Sequence, residues 1–278
     1  MSKCEISGNG SKEWKNEKGE LHRLDGPAVE WDHGTKEWWV NGQLHRLDGP
    51  AIEWANGDKE WYKEGKLHRE GGPALDFMPI FSFIGDKFWY INGLSHRDDG
   101  PAIEWADGGK WWYKNGLSHR DDGPAIEWAD GGKWWYKNGK LHREDGPAVE
   151  YLDGHKEWRI NGESHRIDGP AIEFADGTKE WWLNGELHRE DGPAIEWSDG
   201  SKWWFKNGLC HREDGPAKEY TTGSKEWLVN GRLHREDGPA REFADGKKFY
   251  YLNGKRVEEK DLPEKLPRCE VTNLRLKP

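Results

Sequence analysis

The chain has 278 residues, 33% apolar and 34% charged, with a mean hydropathy of −1.11 and a net charge of −10. Such polarity speaks against a thick globular core, and the acidic balance disfavours nucleic acid and anionic membranes as main partners, because both require cationic surface. Against disorder stand 20 tryptophans, each able to bury on the order of 150–250 Å², and they recur in register.

The dipeptide His-Arg begins at His22, His45, His68, His96, His119, His142, His165, His188, His211 and His234. Successive copies lie 23 residues apart except from His68 to His96, where the step is 28. One unit is therefore written ten times, with five residues added once. Stacked short units touch mainly their neighbours and form one array.

In chain order, residues 1–20 hold a partial unit around Lys12 and Trp14 and are expected to cap the array. They contain no apolar core of a signal peptide, and no run reaches the length of a membrane span, so a cytoplasmic location is expected. The array itself occupies residues 21–254. Within one unit, Pro124 to Trp128 ("PAIEW") reads as a short strand and Ala129-Asp130-Gly131 as a turn. Lys133 to Lys137 ("KWWYK") reads as a second strand ending in Asn138-Gly139, a hairpin turn dipeptide in which both residues tolerate positive φ. "KLHREDG" (Lys140 to Gly146) reads as a longer loop returning through Pro147, a residue that suits a strand's start or an edge. No part of the repeat has a helical period. The expected fold is all-β: an elongated repeat protein with a single twisted antiparallel sheet of stacked β-hairpins, two strands per unit.

Alternation along the second strand separates two faces. Trp38, Trp61, Trp89, Trp112, Trp135, Trp158, Trp181, Trp204 and Trp227, with Tyr250 in the last copy, hold one slot. Its constancy assigns it to a buried ladder. The flanking slots vary among Trp39, Tyr113, Arg159 and Trp182 on one side and Glu37, Trp111, Trp134, Glu157 and Trp203 on the other. They make a mixed aromatic and acidic second face.

Two places break the repeat. An apolar insertion at residues 78–86, "MPIFSFIGD", brings Met78, Ile80, Phe81, Phe83 and Ile84 into an otherwise polar chain. Apolar residues gathered this way mark either an interface, including a homodimer contact, or a local core. After Asn253-Gly254, residues 255–278 read as a C-terminal cap with one short helix, since Asp261-Leu262-Pro263-Glu264 resembles a helix start. Cys4, Cys210 and Cys269 are odd in number and widely spaced, so neither a disulfide framework nor a zinc site is expected.

His-Arg-x-Asp-Gly-Pro-Ala contains groups an enzyme would use, but ten equivalent loops offer no single asymmetric cleft. A structural role follows, with Asp145 accepting backbone donors in its turn, Arg143 forking onto Glu150 or onto the matching carboxylate of the adjacent unit, and His142 packing its ring beside Pro147 while donating or accepting one bond. Equivalent histidines roughly 10 Å apart cannot share one ion, so no metal, catalytic residue or cofactor is expected. The recurring lysines, Lys110 and Lys133 among them, face glutamates such as Glu127 and Glu150 in an expected cross-strand ladder.

The segment Trp134 to Gly154, "WWYKNGKLHREDGPAVEYLDG", and its relatives across residues 12–254 resemble the MORN repeat: a 23-residue unit with an aromatic strand, Asn-Gly, a nearby His, and Asp-Gly. The loop departs from that pattern, with Arg-x-Asp-Gly-Pro-Ala after His where the family has glycines. The resemblance implies an extended twisted β-sheet serving as a scaffold for protein interaction or assembly, with lipid binding sometimes proposed. The expected function is a non-enzymatic scaffold with a protein partner, contacted through Met78, Ile80, Phe81, Phe83 and Ile84. A second expectation is a multivalent binder of glycans or small ligands that stacks them on Trp39, Trp111, Trp134, Trp182 and Trp203.

Overall fold

The computed structural model describes residues 2–77 and 85–263. The fold is all-β and antiparallel, built from hairpins that repeat with the 23-residue unit. It falls into two compact units, Met1–Glu163 and Ser164–Pro278.

In the first unit the main sheet runs from Lys3–Ile6 through Lys12–Lys15, Val29–Glu30 and Lys36–Glu37 and onward, strand by strand, to Val149–Glu150 and Lys156–Glu157. In the second it runs from Ile172–Glu173 and Lys179–Glu180 to Arg241–Glu242, Lys248–Leu252 and Lys255–Val257. Each repeat contributes two strands to this sheet, joined by a three-residue loop except in the copy that carries the insertion. Around Ala129-Asp130-Gly131, Trp128 N–H donates to Gly132 O at 2.9 Å and Gly131 N–H to Trp128 O at 3.0 Å, with Gly131 at φ +99°. That is a type I turn closed by a left-handed glycine.

The segment "KWWYK" is not one strand but two. Lys133–Trp134 belongs to the main sheet, whereas Tyr136–Lys137 turns away to pair with Lys140–Leu141 in a separate small hairpin. Trp135 is the hinge: its N–H donates to Ala148 O in the main sheet, and its carbonyl accepts from His142 N–H in the hairpin. A unit therefore has four short strands where the pattern suggested two. The Asn-Gly turn forms as its composition demands, Asn138 at φ 51° and Gly139 at φ 78°, the paired left-handed residues of a type I′ turn.

The core is thin and lies elsewhere than the tryptophan ladder. Fully buried at 0% exposure are the alanines of each Pro-Ala, Ala28 to Ala240, followed by Val29, Ile52, Ile103, Ile126, Val149, Ile172 and Ile195. Trp38, Trp112 and Trp135, assigned from sequence to a buried ladder, are only half-buried. Among the described residues only side chains as small as Ala or as short as Val and Ile vanish regularly beneath their neighbours.

Adjacent repeats are clamped at their turns. Thr35 Oγ1 accepts Ala55 N–H at 3.1 Å, Asp86 Oδ1 accepts Ala106 N–H at 2.7 Å and Thr178 Oγ1 accepts Ser198 N–H at 3.1 Å. Near the C-terminal end Glu259–Asp261 forms a 3-10 turn and Leu262 is extended, so no helix starts at Asp261-Leu262-Pro263 among the described residues. Pro263 is the last described residue there.

Candidate functional site

The loop motif assembles around its arginine. Arg120 lies over the Trp112 ring, Cζ 4.0 Å from the centroid. Its Nε donates to Asp122 Oδ1 at 2.8 Å, and one terminal nitrogen donates to Pro124 O at 3.2 Å and to Glu127 Oε1 at 2.9 Å. The same set recurs around Arg46, Arg97, Arg143, Arg189, Arg212 and Arg235. Of the two carboxylates expected for Arg143, Glu150 of its own unit accepts from one terminal nitrogen at 3.2 Å, a single bond where a fork was expected. Asp145, expected to accept backbone donors, accepts Arg143 Nε at 2.9 Å instead. That bond and the charge of the guanidinium hold the Asp145 carboxyl below the usual aspartate range, and the same cause acts on Asp122.

The histidine makes a hydrogen bond that links units. His119 Nδ1 accepts the Asn138 N–H of the next repeat at 3.1 Å, as His142 does from Asn161 and His188 from Asn207. A backbone N–H can only donate, so Nδ1 is the acceptor of this bond at His119 and His142, whereas His188 Nδ1 also lies 2.8 Å from Asn207 Oδ1. Nε2 faces the carboxylate two residues on, Asp121 at 3.3 Å for His119. Among the described residues no three His, Cys, Asp or Glu side chains converge as a metal site requires, and no helix is long and apolar enough to cross a membrane.

Between consecutive loops lie open grooves. One of about 650 Å³ is lined by Arg120, Asp121, Trp135, Lys137, His142 and Glu144, among others. The preceding repeat has one of about 550 Å³ on equivalent residues. In the second unit, Arg166, Asp168, Trp181, His188 and Arg189 help to line another of about 580 Å³.

The opposite face carries a feature whose continuity was not foreseen. The aromatic residue that ends each "PAIEW"-type strand alternates in space with the slot of Trp111 and Trp134. Ring centroids follow one another from Phe77 to Phe88 at 6.2 Å, Trp105 at 5.5 Å, Trp111 at 5.2 Å, Trp128 at 5.3 Å, Trp134 at 5.3 Å and Tyr151 at 5.9 Å, all edge-to-face. A shorter row, Trp197, Trp203 and Tyr220, lies in the second unit. Where the slot holds Glu the row is broken by hydrogen bonds: Trp31 Nε1 and Trp39 Nε1 donate to Glu37, Trp54 Nε1 to Glu60, and Trp182 Nε1 to Glu180. Where it holds Trp, the indole nitrogens of Trp105, Trp111, Trp134 and Trp203 are buried without an oxygen partner. Edge-to-face packing leaves them only neighbouring π faces, which are weak acceptors.

The ligand platform expected from sequence is thus of two kinds. Trp39 and Trp182 are half-buried with their N–H groups bound to glutamate, and Trp111, Trp134 and Trp203 are half-buried members of the rows. The more open rings are their partners Trp128 and Trp197, each 38% exposed, which sequence reasoning passed over. Their signal was present in the regular Trp after Ile-Glu. Met78, Ile80, Phe81, Phe83 and Ile84 lie outside the described residues. Cys210 is buried against Ala217, Leu228, Phe205 and Leu233, and burial pushes its thiol up to about 11, which fits a packing role.

The lysines stand opposite glutamates as expected, Lys110 against Glu104 and Glu127. Side-chain ion pairs form from Lys12 to Glu30 at 3.4 Å and from Lys87 to Glu104 at 4.0 Å, while the glutamates are engaged by the loop arginines. Compared with known proteins, the chain matches no family model and no curated protein.

Proposed function

We propose that this protein is a non-enzymatic, MORN-like repeat scaffold of the cytoplasm that binds a protein partner along its sheet. The observation that carries this reading is the use made of the loop motif. In repeat after repeat the groups that would do chemistry are engaged in holding the loop and joining units, with Arg120 held by Trp112, Asp122, Pro124 and Glu127, and His119 by Asn138. What this arrangement leaves for function is surface: periodic grooves on one side and aromatic rows on the other. Extended, periodic surface suits a macromolecular partner better than a single reacting group.

The test is affinity capture from native extract, followed by reconstitution with the purified partner, for wild type and for a Phe81→Asp, Phe83→Asp variant. The scaffold reading expects a protein that binds the purified wild type directly and with defined stoichiometry, and loses at least tenfold in affinity to the variant if the 78–86 segment contributes the contact. Capture of the same glycan or metabolite by both proteins, with no protein partner, would overturn it. That result would favour the second reading, a multivalent ligand binder, which the row containing the exposed Trp128 supports.

A further inference from the structure

The aromatic row of the first unit is chemically a surface for cations, and the second unit demonstrates the chemistry on its own rings. There Lys218 Nζ sits 4.2 Å from the Trp203 centroid, Arg256 Cζ 4.7 Å from that of Phe249, and Arg241 Cζ 5.7 Å from that of Phe243. Trp203 and Phe249 hold the slot of Trp111 and Trp134, and Phe243 holds that of Trp105 and Trp128. In the first unit the positions equivalent to Lys218 and Arg241 are Ile103, Ile126 and Val149, all buried. Among the described residues no Lys or Arg of that unit lies over Phe88, Trp105, Trp111, Trp128 or Trp134. Buried Ile126 and Val149 stand opposite Trp111 and Trp134 where Lys218 stands opposite Trp203, so a cation for this row has to come from outside the described residues.

Charge points the same way. Asp107 Oδ1 and Trp105 Cδ1 lie 3.2 and 3.1 Å from where a Cβ on Gly109 would stand, and Asp130 Oδ1 and Trp128 Cδ1 each lie 3.2 Å from the same point on Gly132. A carboxylate thus borders each of these two indoles, on a chain whose net charge is −10. A cation over either ring gains both the π face and a nearby anion.

We propose that the Phe88–Trp134 row binds an extended partner segment that presents arginine at every third residue. Successive rings lie 5.2 and 5.3 Å apart, so equivalent indoles recur about every 10 Å, the width of two strands. A polyproline II segment advances about 3.1 Å per residue with three residues per turn, which puts every third side chain on one side at about 9.3 Å. Arginine is preferred to lysine because its planar guanidinium stacks on an indole while its N–H groups remain free for carboxylate. This inference rests on the protein-scaffold reading and names the chemistry of the partner.

The probe is a synthetic peptide of four Arg-Pro-Pro triplets, titrated into the full chain at low ionic strength with tryptophan fluorescence and calorimetry as readouts. Its comparison is the same peptide with citrulline for arginine, which keeps shape and removes charge without touching the protein. The arginine peptide is expected to bind at least tenfold more tightly than the citrulline peptide. A Trp105→Leu, Trp128→Leu variant, shown by circular dichroism to be folded at the assay temperature, is expected to lose at least tenfold, while Trp31→Leu, Trp54→Leu loses no more than twofold. Equal binding of both peptides, equal loss in both variants, or no binding of the arginine peptide overturns the proposal. If it falls while the captured protein partner still binds the Trp105→Leu, Trp128→Leu variant, the scaffold reading stands without it; if no protein partner exists, that reading has failed first.

Discussion

Arg120 shows how much a single residue of the repeat carries. It stacks on Trp112 and donates to Asp122, Pro124 and Glu127, so Arg120→Ala removes a cation–π contact and takes the arginine donor from one carbonyl and two carboxylates. A loss of about 2–3 kcal/mol is expected from charge-assisted bonds of this kind, read by urea unfolding and by local loss of hydrogen-exchange protection over residues 112–127. Arg120→Lys should recover little of it, since an ammonium cannot match the fork. The aspartates add a pH dependence whose sign is fixed by their shift. Asp25, Asp48, Asp99, Asp122, Asp145, Asp168, Asp191 and Asp214 are lowered from 3.8 mainly by their hydrogen bond to arginine. The folded state thus binds protons less readily than the unfolded one. Their stabilisation is complete above the ordinary aspartate range and is lost as pH falls through and below it. Melting temperature should fall between pH 5 and pH 3, and the slope should lessen in Asp122→Asn and at high salt. The His-Arg-x-Asp pattern showed in sequence that these groups belong together. It did not show that His119 Nδ1 would serve Asn138 of the following unit, because that partner is 19 residues away and is brought near only by stacking.

At the scale of the element, the turns were legible and the strands were only partly so. Asn-Gly announced its own geometry through residues that tolerate positive φ, and the exception is instructive: the third copy has Glu64 at φ 52° in the same place. Glu64→Asn is expected to raise stability by about 0.5–1 kcal/mol, the scale on which relieving a left-handed non-glycine counts, measured as an increase in melting temperature. The split of "KWWYK" was hidden, because its alternation reads equally well as one strand. The hinge at Trp135 exists because that residue's N–H and carbonyl go to different sheets. The aromatic row offers a related test. Trp111→Glu would give Trp105 Nε1 the partner that Glu60 gives Trp54, exchanging edge-to-face contacts worth about 0.5–1.5 kcal/mol for a hydrogen bond of similar worth. Its net effect on chemical denaturation should stay within about 1 kcal/mol.

For the molecule as a whole, the repeat makes register the property that matters. Excision of residues 111–133 joins Lys110 to Trp134, so every strand meets a partner of the same type and every clamp is re-formed one unit on. The shortened protein is expected to remain folded, with an unchanged circular dichroism per residue. Removal of residues 111–121 alone breaks the register and should leave the protein aggregated or unfolded on the same measurement. The thin core makes this demand strict: its buried apolar residues are mainly the Ala of each copy and the Ile or Val that follows it in seven of them, and a register slip of one residue would turn that row outward.

The sequence by itself determined the all-β class, the period, the turns and the Arg143 to Glu150 pairing, because each depends on residues close along the chain or on a pattern repeated ten times. Only the tertiary structure decided which aromatics are covered, where the core lies and how the indoles of Trp105, Trp111, Trp128 and Trp134 meet. The reason is physical: those contacts join residues of facing strands, alternately within one copy and between neighbouring copies, and their geometry follows from strand spacing and from the bend at each hinge tryptophan.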